Sequence, residues 1–260
     1  PFCGTGMTGV AAQLSGRRAV LGDLSVAATH LAYNHTRPCD PTMLRQTFDE
    51  IASDLGPEFR EIYKCTDGDS RGYLIYTLWG RDAICPHCKS TFSIWDSIER
   101  QTGRMPTRLK CPACGKESPK HGLKYTDNRP VLLSYKRENG ERVERAPTPD
   151  DVELIRQQSE IAPASWYPEV EIDTTREMYI RSALHLQGVS RISDFYMPRN
   201  LRALSRLWAR IQQVDDDRIR SALTFAFTNT AWHGTRMRRF NARGGQRPLT
   251  GTLYIPQLSS

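Results

Sequence analysis

No stretch of this 260-residue chain stays apolar for the roughly 18 residues that a membrane-spanning helix needs. A secretory signal, a basic start followed by a short apolar run, is also missing. Export and membrane insertion therefore find no support, and a cytoplasmic location is expected. An initiator methionine is absent too. The chain opens at Pro1 inside a motif, so the expectation is an internal fragment whose first strand lies upstream of Phe2. Seven cysteines without a secretory signal do not read as a disulfide scaffold. The formal net charge of +7 suits a polyanionic partner, but many solvated surfaces look the same.

What is present begins at once. Pro1-Phe2-Cys3-Gly4-Thr5-Gly6-Met7-Thr8-Gly9 holds three glycines at a spacing that lets backbone turn sharply and approach a ligand. A helix-forming run, Val10 to Leu14, follows and closes at Gly16. Ala19-Val20-Leu21 then predicts a short strand, ending at Gly22-Asp23. Loop, helix, strand and acid in this order predict the opening of a Rossmann-like sheet. The helix N-terminus offers free N–H groups, and the acid can take ribose hydroxyls. Gly4-x-Gly6-x-x-Gly9 satisfies the dinucleotide fingerprint literally. Pro1, however, lacks the N–H of a central strand, and Pro-Phe-Cys is not a strand tail. S-adenosylmethionine is the favoured nucleotide and NAD the alternative.

Residues 1 to 36, with Gly16-Arg17-Arg18 and Gly22-Asp23-Leu24-Ser25, resemble the cofactor motif of the amino-group DNA methyltransferases, Asp-Pro-Phe-x-Gly-Ser/Thr-Gly followed by Gly-Arg and an acidic strand end. The resemblance implies S-adenosylmethionine held by Phe2, Gly4, Thr5, Gly6, Asp23 and Leu24. It implies methyl transfer to the exocyclic amine of adenine or cytosine, as in restriction–modification enzymes. The order of cofactor loop, zinc ribbon, Asn-Arg-Pro strand and later helices resembles a subgroup, the adenine-specific DNA methylases containing a zinc ribbon. The family's Asp/Asn/Ser-Pro-Pro-Tyr/Phe tetrapeptide does not occur here. No catalytic residue is therefore assigned, and that motif is expected beyond Ser260. Two alternatives stay open: an NAD-dependent oxidoreductase, and a non-catalytic zinc-ribbon module that binds nucleic acid.

Cys85-Pro86-His87-Cys88 and Cys111-Pro112-Ala113-Cys114 form two CxxC knuckles in a stretch without helical periodicity. Four thiolates brought to one point close a tetrahedral zinc site with no open position, hence a structural one. A thioredoxin-like pair would need one CxxC at a helix start. His87 is surplus to four thiolates. Cys3, Cys39 and Cys65 read as bystanders. Lys89, Arg104, Arg108, Lys110 and Lys116 fit either DNA contact or a solvated basic hairpin.

Elsewhere the pattern is helical or turn-rich. Ser25 caps one helix. Asp40-Pro41 starts another, with Leu44, Phe48, Ile51, Ala52 and Leu55 facing a core and Gly56-Pro57 stopping it. Asn139-Gly140 marks a hairpin, and Pro147 to Asp150 caps a short helix. Leu201, Leu204, Leu207, Trp208, Ile211 and Val214 form an apolar stripe, and Arg202, Arg206 and Arg210 line another face. Those arginines fit phosphate contact or a solvated face. His233 to Arg247 carries many arginines, paired glycines and no acid. It suits a DNA-contacting loop in which Arg236, Arg238, Arg239 and Arg243 meet phosphates. Thr252 to Pro256 reads as an edge strand. The fold expected is α/β: a partial Rossmann-like S-adenosylmethionine-binding unit over 1–64, a zinc-ribbon insertion over 65–135, and a mixed, helical region with DNA-recognition elements over 136–260.

Overall fold

The computed structural model describes residues 1–68, 70–98, 106–126, 128–182, 184–236, 238–241 and 245–248. In chain order its elements are α1 (Met7–Leu14), α2 (Val26–Thr36), α3 (Pro41–Ile62), β1 (Lys64–Asp67), β2 (Ser70–Gly80), β3 (Asp82–Ile84), β4 (Thr91–Ser93), β5 (Arg108–Lys110), β6 (Glu117–Pro119) and β7 (Lys124–Tyr125). β8 (Arg129–Arg137), β9 (Arg142–Arg145), α4 (Pro149–Glu160), α5 (Glu177–Arg181), α6 (Pro198–Gln212), α7 (Asp217–His233), β10 (Arg238–Asn241) and β11 (Gly245–Pro248) complete them. The content is mixed helix and strand, and every strand pairing among the described residues is antiparallel. Two compact units emerge. The first takes Pro1–Phe59, Pro163–Tyr167 and Asn200–Gly234; the second takes Arg60–Ala162, Pro168–Arg199 and the residues from Thr235.

The first unit is helical. Ser25 caps α2 by accepting the Ala28 N–H at 3.3 Å. Asp40 caps α3 through the N–H groups of Thr42 and Met43, at 2.7 and 3.2 Å. α3 does not stop at Gly56-Pro57, as the sequence suggested; it runs through to Ile62 with Pro57 inside. Proline removes the bond to the carbonyl four residues back. Here that carbonyl belongs to Ser53, and both Ser53 and Pro57 are exposed, so water can take the bond while the helix goes on. The core gathers Ile51 and Leu55 of α3, Ile211 of α6, Val214, and Ile219 and Leu223 of α7. Leu44 is only partly buried, and Phe48 and Ala52 are exposed, so the apolar face of α3 is narrower than its periodicity implied. The arginine row of α6 has a definite use: Arg206 meets Glu58 and Arg210 meets Asp54, each at 3.0 Å. Asp54 and Glu58 lie one turn apart on α3, so two ion pairs set the register of the two helices.

Ala19-Val20-Leu21 forms no ladder. Its neighbour Gly22 accepts one bond, from the Cys3 N–H at 3.0 Å. Val20 stands 98 % exposed. A strand is stabilised by a paired neighbour, and none is seated beside these residues within the described chain.

The second unit is built on a four-stranded sheet in the order β1-β2-β8-β9. Its buried face carries Cys65, Leu74, Leu133, Tyr135 and, from α4, Ile155. The Asn139-Gly140 turn joins β8 to β9, with Gly140 at φ 90°, a conformation that suits glycine. Asp151 ties this unit together. It completes a capping box with Thr148 at the start of α4. It also accepts from Arg145 on β9 and from the Thr66 N–H and hydroxyl on β1. Arg145 in turn lies over the Tyr135 ring. One buried carboxylate thus links two strands and a helix.

Burial alone would raise the Asp151 carboxyl, but Arg145, Thr148 and Thr66 hold it down at about 2. The contribution of this group is present above the ordinary carboxylate range near pH 4 and is lost as pH falls through about 2. Acid titration of unfolding should show this loss, on the order of 2 kcal/mol, for the native chain. Asp151→Ala should flatten that part of the curve and cost on the order of 3 kcal/mol at neutral pH, because Arg145 is left without its acid.

Candidate functional site

Two clusters carry chemistry: the turn before α1 and the cysteines at the tips of two hairpins.

At the turn, Gly4 (φ 49°) and Gly6 (φ 85°) take left-handed backbone, and Gly6 caps α1. The Gly6 N–H donates to the Cys3 carbonyl at 2.7 Å, closing the turn. Asp23 is brought directly to it. One carboxylate oxygen accepts the Gly4 N–H and the other accepts the Ser25 N–H, both at 3.0 Å. These bonds, Ser25 first and then Gly4, hold the Asp23 carboxyl below its ordinary range. Asp23 therefore braces the glycine turn against the start of α2. Each of its oxygens keeps a further lone pair.

The three glycines are not equivalent. A Cβ at Gly6 would stand 2.5 Å from the Ala32 Cα, and one at Gly9 would stand 2.5 Å from Leu21 Cδ1 and 2.8 Å from Thr36 Cγ2. Those two let α1 lie against α2 and the Leu21 segment. Nothing lies within 4 Å of a Cβ at Gly4, so only this glycine borders open space. Phe2 and Leu24 are 82 % and 96 % exposed, and Thr5 is exposed with its carbonyl 2.7 Å from His35 Nδ1.

The cysteine cluster lies in the second unit. Cys85 and Cys111 are buried at the ends of β3 and β5, and Cys88 and Cys114 are exposed. All four sulfurs lie within 4.8 Å of one another. Cys85 to Cys114 and Cys88 to Cys111 are each 3.7 Å. Ligands about 2.3 Å from a central ion at tetrahedral angles sit about 3.8 Å apart, so the set could hold a metal ion such as zinc. The two knuckles share one backbone pattern. Cys85 N–H donates to Ser90 O and Lys89 N–H to Cys85 O; Cys111 N–H donates to Lys116 O and Gly115 N–H to Cys111 O, all at 2.9–3.0 Å.

Ser90 is a member that the spacing did not single out. Its hydroxyl lies 2.9 Å from Cys88 Sγ and 3.3 Å from Cys111 Sγ. That contact, with the Cys114 N–H, pulls the Cys111 thiol down to about 6. Cys114 is pushed up to about 11 although the Lys116 N–H acts the other way, because partial desolvation within the cluster and three neighbouring sulfurs favour its protonated form. Cys65, apart from this set, is buried beside Asp151, and burial pushes its thiol up to about 11, which makes it a poor nucleophile.

The expected DNA-contacting loop is not one loop. His233 ends α7, and β10 pairs with β11 in a hairpin, with Arg239 opposite Arg247. Arg236 is half-buried, and its N–H donates to the Phe195 carbonyl at 2.9 Å. Burial lowers its guanidinium's affinity for the proton, and Asp194 opposes that shift. The side chains of Arg238 and Arg239, and all of Arg104, Arg243 and 252–256, lie outside the described residues.

No protein-family model, curated protein or solved structure matches this chain.

The cysteine set predicts about one thiophilic metal ion per chain by elemental analysis. Cys111→Ser should release it and strip amide-exchange protection from β3 to β7 while leaving α1 and α2 protected. Retention of metal by this variant would remove Cys111 from the ligand set. Gly6→Ala should destabilise the first unit by about 1–3 kcal/mol, through strained backbone and the contact with Ala32.

Proposed function

We propose that this chain is part of an S-adenosylmethionine-dependent DNA methyltransferase acting on the exocyclic amine of adenine or cytosine, with a structural zinc ribbon. The observation that carries this is the Asp23 carboxylate bonded to the Gly4 N–H, which holds an acid against an open glycine turn at a helix start. That pairing fits a ligand with a ribose diol and a charged tail: hydroxyls for the spare acceptors of Asp23, and free helix N–H groups for a carboxylate. The resemblance of residues 1 to 36 to the amino-group methyltransferases supports the same choice.

On this reading residues 1–64 belong to a partial Rossmann-like unit. Gly4, Thr5, Gly6 and Asp23 hold S-adenosylmethionine, and exposed Phe2 and Leu24 supply apolar surface for its adenine. The bound group supplies an electrophilic methyl. Zinc on Cys85, Cys88, Cys111 and Cys114 is structural, since four protein ligands leave no place for water. Arg236, Arg238, Arg239 and Arg243 contribute positive charge toward DNA, and none of the residues present is assigned to catalysis. The setting is that of a cytoplasmic modification enzyme.

Calorimetry on the purified protein tests the reading. S-adenosylmethionine should bind, and NAD should not. Asp23→Ala should weaken binding on the order of tenfold, the usual effect of stranding a paired polar group. Binding of NAD alone would favour an oxidoreductase. Unchanged affinity in the variant would leave Asp23 only its bracing role.

A further inference from the structure

The two knuckles differ at one position that their shared geometry makes comparable. Gly115, after Cys114, sits at φ 70°. The equivalent residue after Cys88 is Lys89, at φ 64°. Left-handed backbone suits glycine and costs a residue with a Cβ on the order of 1 kcal/mol. The fold gains little in return. Lys89 Nζ donates to the Pro86 carbonyl at 3.0 Å, but this contact is exposed. A lysine held where glycine would serve the backbone better points to a use for its side chain.

Two further lysines flank the facing knuckle. Lys110 precedes Cys111, whose sulfur is 3.7 Å from that of Cys88, and the Lys116 carbonyl accepts the Cys111 N–H. All three lysines are exposed. None is within ion-pair distance of an acid among the described residues, where the only lysine so paired is Lys64. The one acid on this hairpin, Glu117, already faces Arg108 at 3.5 Å.

We propose that Lys89, Lys110 and Lys116 form a phosphate-contacting surface at the metal end of the ribbon, and that its partner is the backbone of a nucleic acid. Lysine ammoniums act as point charges on phosphate. Three charges with no ion-pair partner among the described residues, on two knuckles whose sulfurs meet, supply affinity without sequence preference, which is what phosphate contact gives. The inference rests on the methyltransferase reading only in taking nucleic acid as the partner.

The experiment measures binding of a labelled mixed-sequence DNA duplex to the whole chain over a range of salt, with metal content read on the same samples. Lys89→Gly should keep or improve metal retention, since it relieves backbone strain, and should lower the slope of log affinity against log salt by roughly 0.9. Adding Lys110→Gln and Lys116→Gln should lower it by roughly 2.7 in total. An unchanged slope overturns the proposal. Loss of metal with an unchanged slope shows that the lysines only balance the thiolate charge, which also overturns it. Equal binding of polyglutamate, reduced in parallel by the same variants, assigns the surface to an acidic protein instead. Calorimetry of S-adenosylmethionine on these variants reports on the Gly4 turn alone, so failure of the methyltransferase reading is seen separately.

Discussion

Four sulfurs within 4.8 Å of one another are the constraint on which the middle of the chain depends. The residues around them, Ala83, Phe92, Ile94, Leu109 and Leu123, make a core too small to hold two three-residue hairpins by burial alone. The knuckle turns add only a few backbone bonds. A cation shared by these four ligands would close both hairpins at once, and its binding energy would become folding energy. Ser90 belongs to this arrangement, because a hydroxyl against Cys111 and Cys88 helps the thiolates form. Large β-hairpin loops, a basic surface and an exposed Cys88 and Cys114 are all tolerable once the sulfurs are tied.

Away from the sulfurs, paired charges and small residues do the positioning. The α3–α6 pairs Asp54–Arg210 and Glu58–Arg206 are part-exposed, so each contributes little energy, yet together they fix which turn of one helix faces which turn of the other. Gly6 and Gly9 act by what they lack. Each removes a methyl that would force α1 away from α2, and so the Gly4 turn is delivered to Asp23. In the second unit a single buried acid, Asp151, does the work of several apolar contacts by bonding to β1, β9 and α4.

Local chemistry in the sequence was informative where it is self-contained. Ser25, Asp40 and Thr148 cap the helices they were expected to open, and Asn139-Gly140 turns the hairpin it predicts. The CxxC pairs announced a cluster because their spacing is itself the geometry. Features that depend on a distant partner were not legible. Pro57 reads as a stop, but its effect depends on whether the Ser53 carbonyl can meet water. Ala19-Val20-Leu21 reads as a strand, but a ladder needs a neighbour. Arg206 and Arg210 read as a free basic row because their acids lie some 150 positions earlier. The contrast between Lys89 and Gly115 was visible in the aligned knuckles, but only backbone angles give it meaning.

The sheet that carries the ribbon has a property of modular architecture. Gly80, the last residue of β2, faces Arg129, the first of β8, as a cross-strand partner. Everything between them leaves and re-enters the sheet through one doorway two strands wide. Such a segment can be lengthened, shortened or exchanged during evolution without disturbing the register on which Leu74 and Tyr135 meet. In an engineered chain, a two-residue turn joining Gly80 to Arg129 would leave the host sheet closed, and another metal-tied hairpin pair could be grafted at the same doorway.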